Sequence, residues 1–521
     1  MRNYCLTLAA SFLMLAACEK EGVGVSGAGS PEDDGHGCIV LGDRLEDPYT
    51  VENMTKAFAS LYGSKGDRTE VEMTDHYVRF LPASEEDCRM LEDLGVEMLD
   101  HPMDYEIIRE GDYYHDPSIP DEEITWQYAV VPAGFKFPSS IRYELIDECC
   151  IPENIEGTKA SLYDWEAVER AAFELTGNGA MLRTSAKGGS VKPSGKIQIV
   201  DDKKGSSPIG VSGVRVSCNV FVKFAKTFTD ASGEWTMPKS FSSDPRYRLV
   251  FRNRKGFGIG FNLVLVPAST SSLGKHGPEG VSIVVDRNSE RKLFSRCVVN
   301  NAVSDYFEAC ENNGMRMKTP PSNLRIWLFQ WMEASSAVMM QQGAFVDNTL
   351  IGSFLGSYSV LVKIFLPDIT LGLDGKDDYD TIYTTAQHEC AHASHFAQVG
   401  TGFWDEYIKY VITSFVTSGF TTYGVGTEKN HGYCEVGETW AYYLQTKLYR
   451  DRYPSSAATF GTSFWFSPQV LLNLDSRGIT RFKLFQALTP DVTDIEKFQE
   501  KLVNLYPDQK AVINQAFGRY N

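Results

Sequence analysis

At 521 residues, with 43% hydrophobic and 12% aromatic content, the chain is long enough for several domains and too apolar for an intrinsically disordered protein. Its formal charge of −18 argues against nucleic acid as a partner, because phosphate recognition needs concentrated Lys and Arg. Acidity favours basic substrates in principle, but its commoner meaning is solubility.

The N-terminus reads as a targeting segment over residues 1–17. Arg2 supplies positive charge, and the apolar run Leu6 to Ala17 is too short to span a bilayer. Leu15-Ala16-Ala17-Cys18 resembles the bacterial lipobox, which implies cleavage before Cys18 and lipid on its thiol. Glu19-Lys20-Glu21 resembles the charged export tags of Bacteroidetes surface lipoproteins, implying an outer-membrane or cell-surface location. Residues 18–37 then form a flexible tether, rich in Gly, Ser, Glu and Asp from Gly22 onward. With no second long apolar run, the lipid alone would hold the protein to the membrane. Once Cys5 leaves with the signal and Cys18 takes lipid, nine of the 11 cysteines remain. Buried free thiols with at most one bridge are expected, since spacing does not reveal partners.

Residues 38–185 read as an N-terminal mixed α/β domain. His76 to Leu81, Val96 to Leu99, Tyr105 to Ile108 and Gln127 to Val131 read as strands, and Ser84 caps a helix with acids in its first turn. His101, His115 and Asp116 lack ligand spacing and read as surface or turn residues. The segment resembles N-terminal domains of Bacteroidetes surface lipoproteins, which carries no activity with it. Residues 178–194 form a Gly/Ser/Lys-rich linker. A small β domain follows over 195–287, with strands at Lys196 to Val200, Val214 to Cys218, Glu234 to Met237 and Tyr247 to Phe251. Its strings Gly195 to Val200, Pro208 to Val211 and Thr229-Asp230-Ala-Ser-Gly233-Glu-Trp235 resemble carboxypeptidase regulatory-like domains. That resemblance implies a transthyretin-type β-sandwich serving as an accessory module.

Residues 290–521 read as mainly helical, so the whole is expected to be multidomain α+β. Leu293 to Glu311 is an amphipathic helix; Arg325 to Gln330 and Val360 to Leu366 read as strands. Between Asp380 as N-cap and Gly400 as stop lies a helix containing His388-Glu389-Cys390-Ala391-His392, an H-E-x-x-H pattern. At 100° per residue, Ile382, Ala386, Cys390 and Ala393 form a buried stripe within about 80°, and the two histidines share another flank within about 40°. Both can grip one zinc ion, with Glu389 beside a water it can deprotonate. Cys390 points into the stripe, away from His388. His395, one turn past His392, remains a candidate ligand, although a straight helix wraps poorly around one ion.

Catalytic zinc commonly keeps three protein ligands, one of them a carboxylate. Glu438, on a helix expected over Thr439 to Tyr449 and its approach, is the leading third ligand; Glu435 one turn earlier is the rival, and acids in a solvated first turn are the bland alternative. H-E-x-x-H followed by Glu438 and Ala441 resembles the gluzincin pattern, in which a second helix donates a glutamate as Glu-x-x-Ala. Gluzincins often place an acid after that alanine; here Tyr442 stands there, which puts support of a zinc histidine in doubt. The resemblance implies a zinc metallopeptidase that hydrolyses peptides by an activated water with Glu389 as base, and a cleft-lining strand before the motif helix. His431, Tyr433 and Tyr442 lie near enough in sequence to propose as oxyanion donors, and none is assigned. Two other readings stay open: a surface-binding lipoprotein of a nutrient-capture system with a degenerate peptidase domain, and a zinc hydrolase acting on another bond.

Overall fold

The computed structural model describes residues 38–63, 71–120, 123–182, 189–260, 268–312, 316–330, 333–344, 367–418 and 421–519. The targeting segment, the tether with Cys18 and the expected strand Val360–Leu366 lie outside them. The architecture is multidomain α+β with a helical C-terminal region. No helix among the described residues is long and apolar enough to cross a membrane.

In the N-terminal region, β1 (Val40–Arg44) pairs with β3 (Tyr105–Arg109), and β2 (Asp75–Leu81) lies between β4 (Gln127–Pro132) and β5 (Arg142–Cys149) in an antiparallel sheet. Helix α1 (Val51–Tyr62) packs on α3 (Trp165–Leu175) through Met54, Phe58, Trp165 and Val168. Ser84 caps α2 (Glu85–Asp93) as expected, accepting from the Asp87 amide. Residues 96–99 do not form the expected strand: the Val96 amide closes the end of α2 on the Leu91 carbonyl, and only Leu99 bridges, to Tyr128. Nor is His101 a surface residue; it is buried, and its Nδ1 lies 2.8 Å from Asp100. His115 does sit at a turn, bonded to the Ile119 carbonyl.

The central region holds two sheets. In one, β6 (Ser194–Val200) lies between β10 (Glu234–Thr236) and β14 (Ile283–Val285), with β7 (Pro208–Gly210) also on β6. The other contains β8 (Val214–Val220), β9 (Lys223–Phe228), β11 (Arg246–Asn253), β12 (Gly258–Ile259) and β13 (Thr270–Lys275). Ile197, Ile199 and Trp235 from the first share a core with Val216, Tyr247 and Leu249 from the second. The larger sheet does not end at residue 287. It continues in parallel through β15 (Arg325–Phe329) and β16 (Ile369–Gly372), so the expected division at 287–290 falls between sequence stretches but not between sheets. A parallel pair needs a crossover, and α4 (Arg291–Asn312) lies within the one from β12 to β15. Asn300 and Asn301 of this helix bond Asn253 and the Gly210 carbonyl, fastening it to both sheets.

The C-terminal helices are α5 (Tyr379–Val399), α6 (Thr401–Thr417), α7 (His431–Arg452), α8 (Gln469–Ser476), α9 (Arg481–Ala487), α10 (Ile495–Leu505) and α11 (Lys510–Phe517). Asp378, with extended backbone, occupies the N-cap of α5, two residues before the expected Asp380. Asp380 lies in the first turn instead, where its carboxylate accepts from Lys203 and Tyr449. Gly400 ends the helix at φ 80°, a left-handed value that glycine adopts without strain. All nine described cysteines are free, and eight are buried.

Candidate metal centre

Helix α5 runs between α4 and α7 and is buried on both flanks. Gln387 donates to the Ala302 carbonyl of α4, and Trp440 of α7 donates to the Ala391 carbonyl. The expected stripe of Ile382, Ala386, Cys390 and Ala393 is buried, but so is the histidine flank, because α7 covers it. That helix starts eight residues earlier than expected, after Asn430 in the left-handed conformation. Glu438 is therefore two turns inside a buried helix and not in a solvated first turn.

This placement brings His388, His392 and Glu438 together as a buried group able to hold a metal ion. The two Nε2 atoms are 3.1 Å apart. Glu438 Oε2 lies 3.5 Å from His388 Nε2, and its Oε1 lies 3.4 Å from His392 Nε2. Tetrahedral coordination with bonds of about 2.0–2.2 Å places neighbouring ligand atoms about 3.3–3.6 Å apart; the histidine–carboxylate distances match that spacing, and the two nitrogens are slightly closer. The surroundings aim them. His388 Nδ1 donates to Gln445 Oε1 at 3.1 Å, which leaves the Nε2 lone pair facing the group. Tyr407 donates to Glu438 Oε1 at 2.5 Å. A Cβ at Gly437 would stand 3.3 Å from the Tyr407 ring, so glycine there permits the close approach of α6 to α7.

The electrostatics follow from burial and proximity. Burial alone would lift the Glu438 carboxyl, but the two imidazoles hold it well below the ordinary range. Burial pushes His392 down. It acts likewise on His388, where the Glu438 contact and the Glu389 charge outweigh it and raise the ring's pKa. Burial, opposed by His388 and reinforced by Glu438, pushes Glu389 up to about 8. Glu389 Oε2 has no hydrogen-bond partner among the described residues. Two imidazole lone pairs and a carboxylate within 3.5 Å of one another need a cation or a proton between them.

The rival ligands lie elsewhere. Glu435 turns toward Glu496 and Asp494, and burial with those charges pushes it up to about 7. His395 is fully buried against Phe403 and Trp404, and burial holds it down to about 3. Cys390 is a buried thiol near Cys310. Of the candidate oxyanion donors, His431 bonds the Glu428 carbonyl and Tyr433 packs on Phe403. Tyr442 alone reaches the centre, its ring 4.4 Å from that of His388. Support of His388, in doubt with tyrosine at 442, comes from Gln445. That residue is seven positions past Glu438, within about 20° on the same helix face, so its spacing was a usable signal. Tyr407 and Trp404 come from α6 and had no such signal. No protein-family model, curated protein or solved structure matches the chain.

Proposed function

We propose that this protein is a zinc-dependent metallopeptidase of gluzincin type, exported and anchored at the outer membrane or cell surface by lipid on Cys18. His388, His392 and Glu438 hold the ion, and Glu389 is the general base. The observation that carries the reading is the buried His388, His392 and Glu438 group, within 3.5 Å of one another, beside a glutamate with one carboxylate oxygen unbonded. The H-E-x-x-H and downstream Glu-x-x-Ala pattern supports peptide as the substrate class.

A bound zinc ion supplies Lewis-acid polarisation and makes water acidic enough to attack at neutral pH. Glu389 removes the proton from the attacking water and returns it to the leaving amine. Burial raises the Glu389 carboxyl, which suits it to that return. Gln445 and Tyr407 keep the ligands in register throughout.

A second reading is a surface-binding lipoprotein that retains metal without turnover. The burial of all four side chains, the most exposed being His388 at 6%, favours it. Incubation of the zinc-loaded protein with a broad peptide mixture separates the two. Wild type is expected to cleave, and Glu389→Gln to lose cleavage by at least about a hundredfold while keeping its zinc. Stoichiometric zinc with no cleavage by wild type would put the binding reading ahead.

A further inference from the structure

A second built site lies between the N-terminal region and the larger sheet. Strand β11 places Arg246 and Arg248 on one face, two residues apart. Both line a cavity of about 60 Å³ and its larger neighbour of about 270 Å³. Arg215 joins them in the smaller cavity and Lys275 in the larger. Lys275 is directly opposite Arg246 across β11 and β13, a like-charge pairing that Glu110 on Arg246 and Asp244 near Lys275 only partly offset.

The acids around the smaller cavity are committed. Glu92 pairs with Arg252, Glu97 with Arg215 and Lys226, Glu110 with Arg246, and Asp112 with Arg296, while Asp100 bonds His101, whose pKa burial lowers, and acts on Arg248 only at longer range. Arg248 makes no direct ion pair among the described residues. It is 3% exposed, and its Nη2 donates to the neutral Asn219 side chain at 2.8 Å. Its Nη1 has no partner among the described residues, and no carboxylate there forms an ion pair with it. A guanidinium cannot shed its proton to escape burial, as a carboxyl can be neutralised by gaining one. An unpaired buried charge of this kind is costly, and the planar fork of Arg248 matches two oxygens of one anion.

We propose that the larger cavity, which Glu106 and Asp244 also line, binds a small oxyanion, a carboxylate or phosphate group, held by Arg248 with Arg246 beside it and Lys275 at the exposed rim. The site is independent of the metal centre and of the activity proposed for it.

The test is thermal unfolding of the full chain, dialysed against chloride, titrated with inorganic phosphate or acetate at constant ionic strength. Wild type should show a saturable rise in Tm with at least one of the two, and which one identifies the source. Arg248→Met should show no saturable rise. Lys275→Glu, altered at an exposed position, should need at least about tenfold more anion for the same rise, and it decides the matter if Arg248→Met does not fold. Absence of a saturable rise in wild type, or the same titration in wild type and Lys275→Glu, would overturn the proposal.

Discussion

At the scale of single residues, the candidate metal centre depends on groups outside the His388, His392 and Glu438 cluster. Gln445 fixes which nitrogen of His388 faces the site. Gln445→Leu should keep the fold and lower zinc affinity about 10- to 100-fold, read by competition with a chromophoric chelator. Unchanged affinity would mean that the Nδ1 contact is incidental. Away from the centre, Asp47 is buried, and burial pushes its carboxyl up to about 8 from an ordinary 3.8. The folded protein thus holds a proton that the unfolded chain releases. This contribution is full below about pH 4 and is lost as the pH rises to about 8. Relative to wild type, Asp47→Asn should gain stability across that window, measured by denaturant unfolding at several pH values; a pH-independent difference would contradict the assignment. The grouping of His388, His392 and Glu438 was legible in the sequence, because H-E-x-x-H on a helix is a local pattern and Glu438 follows a spacing. The exclusion of Glu435 was not legible, since it depends on where α10 lies.

At the scale of elements, the centre exists because α5 and α7 pack closely enough for a carboxylate of one to reach two imidazoles of the other. Trp440, fully buried, holds that contact and donates to the Ala391 carbonyl one residue before His392. Trp440→Ala should cost about 3–5 kcal/mol of stability and weaken zinc binding together, by calorimetry and chelator competition. Loss of one without the other would show that the packing and the site are uncoupled. Strand existence followed well from alternation, as for β2, β4 and β11, whereas α4 forms where expected but is buried on nearly every side and is not amphipathic. The misjudged boundaries have local causes. Helix α7 extends back to His431 through Gly432 and Gly437, which lower helix propensity yet permit close approach to neighbouring elements. Residues 96–99 read as a strand but are held by the end of α2.

At the scale of the molecule, the sheet running through β12, β15 and β16 joins the central β region to the helical one, a link between distant segments that periodicity cannot announce. An ion pair reinforces it. Arg452, at the end of α7, grips Asp201 beside β6 at 2.7 Å, and Asp201 is 1% exposed. Arg452→Met should destabilise by about 3–5 kcal/mol, because it leaves a buried carboxylate without its cation. The double variant Arg452→Met with Asp201→Asn should recover much of that loss, read by denaturant unfolding; no recovery would place the cost in lost packing.

The central claim is that His388, His392 and Glu438 form one metal site. Elemental analysis of the purified, zinc-equilibrated protein tests it most directly, comparing wild type with His392→Ala and Glu438→Ala. About one zinc per chain in wild type and a large loss in both variants is the predicted result. No zinc in wild type, or undiminished zinc in both variants, would contradict it.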